Sequence, residues 1–280
     1  MTISRIGQTL GGRYLVESKL GEGGQSTVYK ARDVKSGRDV AIKVMHEKMA
    51  QDSDAQQRMS REAAALERLA IMPAALKMVD MCWSPDSCMC LVTELLTGMD
   101  LDDYLAKRGD RLTVPEVVEL LGPIVDVLET AHALGIVHRD IKPGNVFVTT
   151  EPKGVRLLDF GFAKFAFLTS ITMVGSVAGS PRYIAPEAWL GRKDLDARID
   201  VYSFGALLFR CLAGRCPFES DHMMHLWKMV TEAPRPSLRQ FRRDVPPAID
   251  DWVQLALAVD REQRFQNIRA LWASFVGLVR

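Results

Sequence analysis

Two periodicities divide the chain. Up to about residue 95, short segments of strand composition alternate with turns. YLVESKL at 14–20, TVYKARD at 27–33, RDVAIKVM at 38–45 and SCMCLVTELL at 87–96 are the predicted strands. Ser36-Gly37 turns the chain into the third, and Thr97-Gly98 breaks the fourth. One segment of this half is helical instead. Residues 53–70 are rich in Ala, Glu, Arg and Leu, set Leu66 and Leu69 on one face with Met59 above them, and stop at Pro73. Beyond Thr97 the pattern turns helical. Thr113 and Glu116 form a capping box for a helix reaching about His132, with Leu120, Ile124, Val127, Leu128 and Ala131 on its apolar side. Pro123 lies inside it and predicts a kink or locally loosened bonding. Further helices are expected around 201–213, 221–231, 248–258 and 267–279. No repeat or low-complexity linker interrupts the chain. The change near residue 97 therefore predicts an α+β chain of two lobes joined by a short hinge at about 94–98.

Composition narrows the picture by exclusion. At 280 residues the chain can bury a large core, and 48% hydrophobic with 25% charged residues is ordinary for a globular protein. A formal net charge of +1 gives no global field for nucleic acid or a membrane surface. The local cluster Arg235, Arg239, Arg242 and Arg243 reads as a solvated loop between helices. No apolar run reaches ~18 residues, the length of a membrane span. The first residues, MTISRIGQTLGGRYL, lack the apolar core of a secretory signal. Five scattered cysteines point to a reducing, cytoplasmic setting. Cys82, Cys88 and Cys90 lie close together, but no CxxC pair or nearby histidine completes a zinc site, and they read as small apolar strand residues.

Four strings carry chemistry: GEGGQSTV at 21–28, VAIK at 40–43, HRDIKPGN at 138–145 and DFG at 159–161. Gly21, Gly23 and Gly24 stand between two strands, where a glycine hairpin lets backbone N–H groups approach phosphates. No Gly-Lys-Ser/Thr follows, and a strand rather than a helix comes next, so this is neither a Walker A loop nor a dinucleotide fingerprint. Lys43 lies in a strand of apolar neighbours, and a lysine gripping phosphate there needs an anion to orient it. Glu62, nineteen residues on in the predicted helix, is the candidate. Asp140 can accept or orient a hydroxyl proton, and Lys142 can balance charge on a transferring phosphoryl group. Asn145 and Asp159 offer oxygens suited to Mg²⁺.

With these strings in this order, the chain resembles a eukaryotic-type (Hanks-type) serine/threonine protein kinase catalytic domain, most like the bacterial members. The likeness covers residues 12–280. It implies the two-lobed protein-kinase fold: a small strand-rich N-lobe at about 12–96 with one main helix, and a larger, mostly helical C-lobe at about 99–280. It implies ATP and Mg²⁺, with Mn²⁺ as a substitute, and a protein substrate with a Ser/Thr acceptor. By the same likeness Gly21, Glu22, Gly23, Gly24 and Val28 form the nucleotide lid, and Ala41 touches adenine. Thr93 is the gatekeeper, the backbone of Glu94 and Leu96 meets the adenine edge, Asp100 meets the ribose, and Phe147 joins the nucleotide site. Lys43 pairs with Glu62, Asp140 takes the proton beside Lys142, and Asn145 and Asp159 hold the metal. Asp200 braces the catalytic loop and Arg264 pairs with Glu187. Some bacterial relatives dimerise, which brings a homodimer into view.

Three departures from the pattern stand out. Ser26 replaces the third lid glycine. Gly144 stands where basic-directed kinases carry Glu. The segment holding Phe162, Phe165, Phe167, Leu168, Ile171, Met173 and Val174 is unusually apolar and predicts packing against the protein itself or a partner. Thr169, Ser170, Thr172 and Ser176 are its candidate autophosphorylation sites, with Arg139 as the nearby positive charge. Two other classes share parts of this pattern. A pseudokinase scaffold would have lost one of Lys43, Asp140, Asn145 or Asp159. A small-molecule phosphotransferase would lack the stretch Ser180–Glu187.

Overall fold

The structure, a computed structural model, describes residues 4–160 and 180–279. Packing divides them into two units: residues up to Ile71 with Ala75–Thr97, and Met72–Ala74 with Gly98 onward. Among the described residues no helix is long and apolar enough to cross a membrane.

The first unit is one antiparallel sheet and one long helix. Its strands are β1 (Thr9–Leu10), β2 (Tyr14–Glu22), β3 (Ser26–Asp33), β4 (Asp39–Met45), β5 (Met78–Trp83) and β6 (Met89–Glu94), ordered β1-β2-β3-β4-β6-β5. The period of two sorts its faces. Tyr29 stands opposite Ile42 and Ala31 opposite Val40, all buried, each large one contributing roughly 1.5–3 kcal/mol by leaving water. On the other face Val28 pairs with Lys43 and Ala41 with Thr93; of these only Thr93 is buried. β5 lacks a buried face, so its sequence shows no alternation and predicts no strand. Helix α1 (Ser53–Arg68) packs on β5 and β6. Asp52 caps it, accepting from the N–H groups of Asp54 and Ala55 at 2.9 and 3.1 Å.

The second unit is helical around a buried axis. In chain order it holds β7 (Gly98–Asp100), α2 (Leu101–Lys107), α3 (Val114–Ala133), β8 (Val146–Thr150), β9 (Lys153–Leu157), α4 (Pro186–Trp189), α5 (Arg198–Ala213), α6 (Met223–Glu232), α7 (Ile249–Ala256) and α8 (Ile268–Val279). Helix α5 is buried on nearly every side, and α3, α7 and α8 pack around it. Phe204, Trp252, Trp272 and Phe275 meet edge-on or tilted among these helices, with ring centroids 5.6–6.1 Å apart. The capping box of α3 forms as predicted, and the helix continues unbroken through Pro123. Strands β7, β8 and β9 make a small sheet. Gly98 is required there: its φ is +147°, and a Cβ would lie 2.0 Å from the Val148 carbonyl oxygen.

Two of the four clustered arginines correct their sequence reading, while Arg239 and Arg243 are exposed as expected. Arg235 is buried, donates to the carbonyls of Met229, Val230, Ala233 and Leu257, and lies 4.7 Å over the Phe218 ring. Arg242 donates to Leu112 O and Leu212 O and pairs with Asp244. These guanidiniums tie helix ends and loops together rather than coating a solvated loop, because their planar forks can satisfy several carbonyls at once.

Candidate active site

In the first unit, β2 and β3 form a hairpin closed by the Gly23 N–H bonding Ser26 O at 2.8 Å. Gly21 faces Val28 and Glu22 faces Thr27 across it. None of Gly21, Gly23 and Gly24 adopts a positive φ, and a Cβ at Gly21 or Gly24 would meet nothing within 4 Å. Neither fold nor packing demands these glycines, so what they leave open is outward space. Lys43 Nζ donates to both carboxylate oxygens of Glu62, at 2.8 and 3.0 Å, and the two side chains are 21% and 11% exposed. Along β6, Thr93 is buried, and the Glu94 N–H bonds Lys77 O at 2.9 Å. Among the described residues the backbone of Leu96 has no partner within the chain.

In the second unit, Asp140 Oδ2 accepts from Lys142 Nζ at 2.9 Å and from Asn145 Nδ2 at 3.0 Å. Asn145 Nδ2 also donates to Asp140 O at 2.6 Å, and the Leu158 N–H bonds Asn145 O at 2.8 Å. That fastens the residue before Asp159 to the same loop. Asp100 sits opposite Phe147 in the small sheet, and its Oδ1 caps α2 through Asp103 N–H at 2.9 Å.

The loop is held from below. Asp200, fully buried in the first turn of α5, accepts from the N–H groups of His138 and Arg139 at 2.8 Å each and from His132 Nε2 at 2.8 Å. Burial alone would raise its pKa; the His132 hydrogen bond, the nearby imidazoles and the Arg139 N–H outweigh burial and hold it below the ordinary carboxylate value. These bonds offset strain, since Arg139 has φ +67° and Asp159 φ +46°, both left-handed. His138 adds a second tie. Its Nδ1 accepts from Asp140 N–H at 3.2 Å, so its Nε2 must carry the hydrogen given to Leu158 O at 2.9 Å. The ring packs on Phe160 with centroids 4.8 Å apart. The sequence assigns no role to His138 and marks His132 only as a helix end, because no local pattern reports partners 62 and 68 residues away. Farther off, Arg264 commits every N–H: to Glu187 at 2.7 and 2.5 Å, and to Ala258 O, Arg198 O and Val259 O.

The structure thus brings Lys43 to Glu62 in one unit, and Asp140, Lys142 and Asn145 together in the other. Gly161 to Gly179, including the four hydroxyl candidates Thr169, Ser170, Thr172 and Ser176 and the apolar segment, lie outside the described residues.

Comparison with known proteins settles the family. The protein kinase domain family matches residues 14–276. The chain belongs to that family. It is 34% identical over 278 residues to the serine/threonine-protein kinase pkn3 of Myxococcus xanthus, covering 96% of this chain and 50% of that protein. It is 35% identical over 269 residues to the serine/threonine-protein kinase PknL of Mycobacterium tuberculosis, covering 96% and 66%. The chain therefore spans between half and two thirds of the length of these curated relatives. The crystal structure of the Mycobacterium tuberculosis PknI kinase domain superposes with a TM-score of 0.76 at 26% identity, over 99% of this chain and 100% of that one. The strand-rich first unit and the helical second unit are the N-lobe and C-lobe of the kinase fold.

Proposed function

We propose that this kinase domain transfers the γ-phosphoryl group of ATP to serine and threonine hydroxyls of proteins. The observation that carries the reading is the Asp140 carboxylate, held by Lys142 and Asn145 on a loop anchored to Asp200. A carboxylate fixed in this way can orient an acceptor hydroxyl and take its proton, while Lys142 balances charge nearby. Relatives named as serine/threonine-protein kinases support the hydroxyl class. Lys43, oriented by both oxygens of Glu62, suits the role of a phosphate-gripping cation, and Gly21, Glu22, Gly23, Gly24 and Val28 suit a lid over phosphates. Ala41, Thr93, Glu94, Leu96, Asp100 and Phe147 complete the proposed nucleotide set.

The donor set fits magnesium. With Asn145 Nδ2 committed to Asp140, the atom left to face a ligand is its amide oxygen, which joins the Asp159 carboxylate as a hard donor. A Mg²⁺ or Mn²⁺ ion bound there would neutralise phosphate charge. We further propose that Thr169, Ser170, Thr172 or Ser176 accepts a phosphate in an autophosphorylation step.

Radiolabelled ATP with Mg²⁺, offered to this chain alone, to generic protein substrates and to small-molecule acceptors, tests the reading. Label should reach protein, the chain included, and fall by about 10²–10⁴-fold in Asp140→Ala. Label only on a small molecule would replace the proposal with the phosphotransferase reading. Nucleotide binding without any transfer would replace it with a scaffold.

A further inference from the structure

The catalytic reading leaves the cysteines of the β5–β6 hairpin unused. Cys82 on β5 stands directly opposite Cys90 on β6. The hydrogen-bond phase of the hairpin fixes which kind of pair this is. Ser84 N–H bonds Cys88 O at 2.9 Å, across the ladder. Trp83 O instead accepts from Gly11 N–H at 3.2 Å, so it faces away from β6. Because bonded and non-bonded pairs alternate, Cys82 and Cys90 occupy a hydrogen-bonded position, whose Cα atoms lie about 5.5 Å apart. Disulfides span about 4.4–6.8 Å between Cα atoms and about 3.5–4.5 Å between Cβ atoms, so closing one here requires the two Cβ atoms of a hydrogen-bonded pair to draw together. Side chains directly opposite each other also share one face of the sheet, and Cys90 Sγ, held by Cys88 O at 3.4 Å, lies on the face that Cys82 shares.

The two sulfurs are not equivalent. Cys90 is fully buried, whereas Cys82 is partly exposed. The neighbouring Cys90 lowers the Cys82 thiol, and the neighbouring Cys82, with burial, raises Cys90. Cys82 is therefore the member that meets solvent and ionises more readily, and Cys90 is the buried partner behind it. Cys88, the third cysteine, is buried and held at the turn by Arg5 Nη2 at 3.5 Å, and burial raises its thiol.

We propose that Cys82 and Cys90 are a redox modification site that takes hydrogen peroxide and closes into a reversible cross-strand disulfide. The Cys82 thiolate attacks one peroxide oxygen. The O–O bond breaks, a sulfenic acid forms on Cys82, and the departing oxygen leaves as water after taking a proton. The Cys90 sulfur then attacks Cys82, the S–O bond breaks, and the Cys90 proton leaves with that oxygen as a second water. Two thiols are oxidised and one peroxide is reduced. The bridge would tie β5 to β6 at Cys90, which also pairs with Val44, next to Lys43 on β4. Its formation is independent of the phosphoryl-transfer reading.

The purified chain is treated with hydrogen peroxide near stoichiometry, unfolded, alkylated at free thiols and weighed intact. Three of its five cysteines should take label instead of all five, fragmentation should place the bridge between Cys82 and Cys90, and dithiothreitol should restore five. Cys82→Ser and Cys90→Ser should each abolish the bridge, and Cys88→Ser should keep it. Circular dichroism on Cys82→Ser, which alters the partly exposed position, guards against loss by misfolding. Five labelled thiols after treatment, irreversible oxidation of Cys82 without a bridge, or a bridge that survives Cys82→Ser would each overturn the proposal.

Discussion

The two lobes hold their charged residues by different means. In the N-lobe, Lys43 and Glu62 meet as one side chain against another, from a strand and a helix, and both keep some contact with solvent. In the C-lobe, the Asp140 loop is pinned through main-chain amides to a carboxylate with no exposure at all. The first arrangement rests on two side chains and can be lost without unpairing any main-chain group. The second cannot be lost without leaving buried amides unpaired, at about 1–3 kcal/mol each.

Removing the anchor should break the contrast most severely. Asp200→Ala deprives His132, His138 and Arg139 of their acceptor, and should cost about 3–5 kcal/mol in urea denaturation, with activity lost alongside. Asp140→Ala should separate chemistry from folding: about 10²–10⁴-fold lower phosphoryl transfer, read with radiolabelled ATP, at a nearly unchanged unfolding midpoint. If both variants unfolded alike, the anchor and the proposed base would not be distinct.

The pH dependence sharpens the comparison further. Asp200 has a folded-state pKa below its unfolded value. Its carboxylate therefore contributes stability in full above about pH 4, and that contribution is lost as pH falls through the folded-state value. Urea midpoints measured from neutral to acid pH should drop more steeply for wild type than for Asp200→Asn. Equal slopes would show that other carboxylates set the acid limb. The smallest effect on transfer is expected in the N-lobe. Glu62→Gln, which keeps the shape of a buried side chain and an acceptor for Lys43, should cost about 1–3 kcal/mol of stability, while lowering phosphoryl transfer roughly tenfold, the equivalent of about 1.36 kcal/mol of barrier. A Glu62→Gln enzyme with undiminished transfer would remove the pair from the proposed machinery.

Much of this was legible in the chain. Predicted strands at 14–20, 27–33 and 38–45 appear as β2, β3 and β4, because one buried face imposes a period of two. The capping box at Thr113 and Glu116 forms because its partners are three residues apart. β5 and the β7-β8-β9 sheet escaped prediction, since neither follows from local composition. Arg235 and Arg242 misled for the same reason: a guanidinium looks solvated in sequence until the carbonyls around it are known.

Sequence alone determined the family pattern, the two halves and the identity of the charged groups, since each of these rests on residues close together along the chain. Tertiary structure alone decided that His138 ties Asp140 to Leu158, that Asp200 receives three donors inside the core, and that Cys82 faces Cys90. Those relations join residues brought together by hydrogen-bond register and burial, and short-range patterning carries no record of them.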